Sequence, residues 1–156
     1  GKPEKRDSEI AMAMLDEMGI ADLADQDMPS LSGGQKQMVR FARALAQEAP
    51  IVVLDEPTSH LDISNQIQVL KAIKRMQNRG ITIVMTTHDP AHAFACGGDL
   101  LALRKGEKPI YGKTESVLDE ALIESLFRVP MLQHISEDGD FVIVPRYKQI
   151  LKELIA

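Results

Sequence analysis

The sequence has no tryptophan, two tyrosines, four phenylalanines and a single cysteine, Cys96. One cysteine excludes an internal disulfide framework and fits a reducing compartment. Its ordinary use is as a small buried hydrophobe. No apolar run approaches the roughly 20 residues that span a bilayer. The opening Gly1-Lys2-Pro3-Glu4-Lys5-Arg6 has none of the apolar character of a signal peptide. There is no excess of positive charge: 18 Lys and Arg stand against 23 Asp and Glu, a net −5. That balance leaves no electrostatic footprint for nucleic acid. Repeats and low-complexity segments are absent. What is present is a chain of 156 residues, 44% hydrophobic and 26% charged, a globular composition with enough length for a real core.

The apolar pattern alternates between helical and strand periods. Asp7-Ser8 is placed to cap a first helix, striped by Ile10, Met14, Leu15 and Met18 and stopped by Gly19. A second helix is predicted from about Gly34 to Ala49, with Met38, Phe41, Ala42 and Leu45 on one face and Lys36, Arg40 and Arg43 on a basic one. Pro50 ends it. Ile51-Val52-Val53-Leu54 is apolar on both faces and reads as a buried central strand. Ile63, Ile67, Leu70, Ile73 and Met76 stripe a third helix, and Ile81–Thr87 is a second strand-forming run. Strand, helix, strand at this spacing is a crossover that makes the two strands parallel. Beyond Pro90 the pattern predicts a short helix to Cys96, a hairpin of Leu100–Leu103 with Pro109–Tyr111, and helical segments over Ser116–Arg128. A second hairpin, Leu132–Ile135 with Phe141–Val144, and a last helix over Arg146–Ile155 complete it.

Two stretches carry chemistry. Ser32-Gly33-Gly34-Gln35, within Leu31–Gln35, is a capping box. The box explains Ser32 and Gln35 but not two glycines, each costing about 1 kcal/mol of helix propensity against alanine. Bare glycine lets an anion approach amide donors at a positive helix terminus, and phosphate is the natural guest. The second stretch is the apolar strand ending in Asp55-Glu56. Strand ends are where open α/β sheets bind ligands. Asp55 is placed to hold Mg2+ through water, and Glu56 to polarise a water attacking a γ-phosphate. His88 closes the neighbouring strand. Two decoys are set aside: His88 and His92 lack a third zinc ligand, and Gly112-Lys113-Thr114 lacks the glycine spacing of a phosphate loop.

LSGGQ (Leu31–Gln35), IVVLDEPTSHLD (Ile51–Asp62) and TIVMTTHD (Thr82–Asp89), in this order, resemble the ATP-binding-cassette ATPases. The resemblance covers Asp7 to about Val129. It implies an α/β, partial P-loop NTPase fold, with a mostly parallel sheet, helices on both faces and part of the helical subdomain. Residues 1–49 correspond to that subdomain with the signature motif, 50–129 to part of the core, and 130–156 to an accessory hairpin and helix. In the family's terms Ser32, Gly33, Gly34 and Gln35 belong to the signature motif that contacts the γ-phosphate of ATP held by the opposite subunit. Asp55 looks like the Walker B aspartate and Glu56 the catalytic glutamate. Ser59–Asp62, with Asp62 at the nucleotide seam, looks like the D-loop, and His88 the switch histidine. Implied cofactors are ATP and Mg2+. Implied partners are a second ATPase subunit in a homodimer, membrane permease subunits and the N-terminal part of the same cassette, with no nucleic acid. The expected place is the cytoplasmic face of the cell membrane.

Departures from the family pattern are as informative. There is no Walker A sequence and no glutamine loop, so the chain reads as the C-terminal part of a cassette, cut inside the helical subdomain. Without the Walker A strand an open slot with unpaired backbone groups is expected in the sheet, and alone the chain is not expected to be a stable ATP-binding monomer. His60, with Asn65-Gln66, is similar to importers of iron-siderophore, haem, cobalamin and related chelates. Two rival functions remain open at this level: a soluble cassette ATPase of DNA repair or translation, and a non-enzymatic interaction module.

Overall fold

The computed structural model describes residues 4–152. They form two compact units that divide between Thr87 and His88.

The first unit begins with α1 (Lys5–Glu17). It starts earlier than the Asp7-Ser8 signal predicts, because Glu4 is the cap: its amide donates to Asp7 Oδ2 at 2.9 Å and its carbonyl accepts from the Asp7 amide at 3.0 Å. Met18 is buried, and Gly19 leaves the helix at φ +71, the left-handed stop expected of it. Two 3-10 turns, Ala21–Leu23 and Met28–Ser30, lead to α2 (Gly33–Ala46). Its predicted apolar face, Met38, Phe41, Ala42 and Leu45, is buried. The helix stops short of Ala49, since Gln47 caps it and Glu48 turns to φ 50. Then follow β1 (Ile51–Asp55), α3 (Ile63–Asn78) and β2 (Thr82–Thr86). β1 and β2 are parallel, with Val53 opposite Val84 and Asp55 opposite Thr86, as the crossover spacing requires.

Packing runs α1 on α2, α2 on α3 and α3 against β2. Val69, Ala72, Ile73 and Met76 of α3 are fully buried at the centre. Arg79 ties α3 back to α1 through Glu17 at 2.9 Å, while Arg75 donates to the Glu17 carbonyl at 2.9 Å.

Two expectations fail in this unit. β1 is buried on one face only: Val52 is 8% exposed, but Ile51 is 57% and Val53 74% exposed, and Val84 beside them 53%. On α3 the predicted stripe holds only from its middle onward, since Ile63 is 75% exposed and Ile67 45%. The reason is the same in both places. The apolar pattern is written for two covering layers, and the described residues of this unit supply one.

The second unit holds α4 (Pro90–Cys96), the antiparallel pair β3 (Asp99–Ala102) and β4 (Ile110–Lys113), α5 (Thr114–Val117) and α6 (Glu120–Phe127). The antiparallel pair β5 (Met131–Ile135) and β6 (Phe141–Pro145) and then α7 (Tyr147–Lys152) complete it. Both hairpins match the sequence pattern. The helical segments expected over Ser116–Arg128 are two, α5 and α6, separated where Leu118 leaves the helical region and Asp119 caps a new start, accepting from the Leu122 amide at 2.7 Å. Positions 153–155 of the last expected helix lie outside the described residues. Ala102, Leu118, Leu122, Ile123 and Met131 form the core, flanked by Phe94 stacked on Phe141 at 4.4 Å. Cys96 is buried, as its size and type suggest. Parallel pairing is confined to β1–β2 among the described strands.

Candidate functional site

The site is built from two loops of the first unit. In one, Ser32 stands in extended geometry before α2. Its hydroxyl accepts from the Gln35 amide at 3.2 Å, and the Gln35 side-chain oxygen accepts from the Ser32 amide at 2.9 Å. The capping box is formed, so both side chains are occupied with each other. The amides of Gly33 and Gly34 have no acceptor within the helix and lie at its positive end.

The two glycines differ. Gly33 is exposed, with nothing within 4 Å of where a Cβ would stand. Gly34 is buried, and a Cβ there would meet Asn65 Oδ1 at 2.2 Å and Cγ at 2.3 Å. Phosphate access is therefore not needed to explain Gly34: the Asn65 carboxamide fills the space a side chain would take. Gly33 keeps the open approach.

Asn65 is itself held. Asp62 caps α3, with Oδ1 accepting from the Asn65 amide at 2.8 Å and Oδ2 from the Asn65 side chain at 2.8 Å. The structure thus places Asp62 at a helix cap, and through Asn65 that cap touches the Ser32–Gln35 turn.

The other loop follows β1. Asp55 ends the strand, and Glu56 turns sharply at φ 41. Thr86, the register partner of Asp55, joins the two: its hydroxyl donates to Asp55 Oδ1 at 2.6 Å and accepts from the Glu56 amide at 3.0 Å. The Ser59 hydroxyl donates to Glu56 Oε2 at 2.5 Å. His60 is also left-handed, at φ 60. Two such residues within five positions cost on the order of 1–2 kcal/mol each, and strain of this kind gathers where geometry serves a ligand. Beside them an open cleft of about 690 Å3 lies between α2 and β1, lined by Gln37 and Arg40 on one side and Leu54, Asp55, Glu56 and His60 on the other.

His88 is exposed and begins the second unit. Next to it Asp89 caps α4, accepting from the Ala91 amide at 2.8 Å and the His92 amide at 3.3 Å, with His92 Nε2 3.6 Å from its other oxygen. Among the described residues no group of three or more His, Cys, Asp or Glu is arranged to hold a metal alone. The Gly112-Lys113-Thr114 decoy resolves into local structure. Lys113 pairs with Asp99 at 2.8 Å, and this hydrogen bond holds its ammonium above the usual value; Thr114 is buried and bonds the Gly98 carbonyl.

Sequence reading missed Thr86 and Asn65 as site residues. Nothing local marks Thr86; only the β1–β2 register brings it to Asp55. Asn65 drew notice for its type, but not as the neighbour of Gly34.

Comparison with known proteins agrees with the motifs. The family model for the ABC transporter matches residues 3–59. The molybdate import ATP-binding protein MolC of Haemophilus influenzae is 37% identical over 97% of this chain and 61% of its own length. The iron(3+)-hydroxamate import ATP-binding protein FhuC of Bacillus subtilis is 33% identical over 94% of this chain and 52% of its own. A solved metal-chelate type ABC transporter in an inward-facing conformation superposes with a TM-score of 0.85 at 37% identity, over 97% of this chain and 61% of that one. The chain therefore spans only about half to three-fifths of the proteins it matches. With the P-loop NTPase fold of these ATP-binding subunits and all three motifs in place, the chain belongs to the ABC transporter family.

Proposed function

We propose that this chain is part of the ATP-binding and ATP-hydrolysing subunit of an importer, for an iron-siderophore or another metal chelate. One observation carries the reading: an adjacent Asp55-Glu56 pair, fixed at the end of a parallel strand, lies in the same unit as a helix start whose first amides are bare. Carboxylates at a strand end suit a hydrated cation, and bare helix amides suit a phosphate anion. The relatives' names supply the transport context: each is called an import ATP-binding protein.

The residues fit the groups they would meet. Asp55 has Oδ1 engaged by Thr86, and Oδ2 is the oxygen that a cation or its water would meet. Mg2+ takes one or two carboxylates and fills its shell with water and phosphate oxygens, so a single strand-end carboxylate is enough protein for it. When bound it would neutralise charge on the phosphates. Glu56 would orient and deprotonate the attacking water, and His88, by its likeness to the family's switch histidine, would hydrogen-bond the γ-phosphate. Ser32, Gly33, Gly34 and Gln35 would face the γ-phosphate of a nucleotide gripped by another subunit, with Asp62 at the seam.

In this reading 1–49 belong to the helical subdomain, 50–129 to the core and 130–156 to an accessory element. The uncovered face of β1–β2 is the place for the N-terminal part of the cassette, which supplies the Walker A loop. A second ATPase subunit completes each nucleotide site, membrane permease subunits take up the motion, and the assembly sits on the inner face of the cell membrane.

The test is ATP turnover by the complete cassette, with and without Glu56→Gln. Loss of about 10²-fold or more in kcat with nucleotide binding retained is expected; unchanged turnover removes the assignment.

A further inference from the structure

We infer that Thr86 is a positioning residue for the hydrolytic site, fixing the Asp55 carboxylate and the Glu56 backbone through one hydroxyl. The inference rests on the proposed ATPase reading and adds to it a residue outside the three motif roles. Thr86 sits one strand away from both acids, opposite Asp55 in the register. Its Oγ1 donates its single proton to Asp55 Oδ1 at 2.6 Å, the short distance of a charge-assisted bond. The same oxygen then accepts from the Glu56 amide at 3.0 Å. A hydroxyl is the one small group that can do both at once, since it carries a donor and two lone pairs.

The second bond matters because of where Glu56 stands. At φ 41 its backbone is in a region that a residue with a Cβ adopts at a cost. At this point the chain has left β1, whose last paired position is Asp55, so the ladder no longer supports the Glu56 amide. Thr86 supplies the missing acceptor. Ser59 holds the other end of the residue through Oε2 at 2.5 Å. Glu56 is thus clamped at backbone and carboxylate, and Asp55 presents its remaining oxygen in a set direction. Removing the hydroxyl would free the Asp55 rotamer and relax the Glu56 turn together, while leaving the shape of β2 intact if a valine took its place.

The experiment compares Thr86→Val with Thr86→Ser in the complete cassette. Valine keeps volume and branching without the hydroxyl; serine keeps the hydroxyl without the methyl. The expected result is a fall in kcat of about tenfold or more for T86V, the scale set by small misplacements of reacting groups, with KM for ATP within about twofold and T86S close to the parent. A second reading needs no catalysis: in the nucleotide-free cassette the Glu56 amide should exchange with solvent about ten times faster in T86V, the weight of one ordinary hydrogen bond, and at the parent rate in T86S. Unchanged exchange at Glu56 in T86V overturns the inference. So does equal loss of kcat in T86V and T86S, which would mean that bulk rather than the hydroxyl matters. If T86V turns over like the parent while Glu56→Gln is inactive, Thr86 has no such role and the ATPase reading stands. If the parent cassette does not hydrolyse ATP, the functional reading fails and the exchange experiment alone decides the clamp.

Discussion

Gly33 and Gly34 are chemically identical neighbours, and the structure predicts opposite responses to the same substitution. At Gly33 an alanine meets nothing within 4 Å, and no positive φ stands against it. Its effect on stability is the gain of removing glycine from a helix, up to about 1 kcal/mol and less in a first turn. At Gly34 the new Cβ falls 2.2 Å from Asn65 Oδ1 and 2.7 Å from Nδ2. The carboxamide must swing away, and its 2.8 Å bond to Asp62 Oδ2 goes with it. Losing a bond to a carboxylate in a partly exposed place costs about 1 kcal/mol, and crowding a packed contact costs about 1–3 kcal/mol. Set against the same helix gain, G34A should destabilise by about 1–3 kcal/mol, about 2–4 kcal/mol apart from G33A. Urea unfolding of the complete cassette measures both. The three nearest atoms all belong to Asn65, so N65A should relieve G34A, and a double-mutant cycle should show clear coupling. Activity should split the other way: G33A fills the open approach to the amides and should lower ATP turnover although it folds better. Equal shifts in stability for the two alanines, or full turnover in G33A, would defeat this account of the turn.

Further expectations follow from other parts of the structure. Asp62→Ala removes the α3 cap and the anchor of Asn65, and should lower stability by about 1–2 kcal/mol by denaturant unfolding. Val53→Ser should be nearly neutral in this chain alone, where Val53 is 74% exposed, but should destabilise the complete cassette by about 1–3 kcal/mol if a second layer covers that face. Equal small effects in both would argue against the covering layer. In the second unit Arg146 donates to Glu120 at 2.7 Å, and this bond, with that from the Gln133 amide, holds the Glu120 carboxyl below its ordinary value of 4.5. A lowered carboxylate stabilises above its unfolded value and loses that contribution as pH falls through the folded one. Unfolding midpoints should therefore drop below about pH 4.5, and E120Q should flatten that part of the profile. The chain alone, purified as a monomer, should bind ATP far more weakly than micromolar; a micromolar affinity by calorimetry would contradict the need for a Walker A partner segment.

Much of the molecule is legible in its sequence because the relevant physics is local. The capping box at Ser32 and Gln35, the Gly19 stop, the buried face of α2 and both hairpins depend on residues a few positions apart. The parallel pairing of β1 and β2 follows from the length of one crossover. Reading fails where the outcome depends on what lies across a gap. Glu4 rather than Asp7-Ser8 begins α1 through a mutual cap. Ile51, Val53, Ile63 and Ile67 carry an apolar pattern for a layer that the described residues do not provide.

The linear order of residues by itself determined the family motifs, the two acids at a strand end and the helix start behind Ser32, because hydrophobic period and capping chemistry act over short spans. Only the tertiary structure decided why the glycines differ, since Asn65 reaches Gly34 from another helix. It alone put the Thr86 hydroxyl between Asp55 and Glu56, because strand register joins residues some thirty positions apart, and a hydrogen bond depends on the meeting of two groups rather than on their order along the chain.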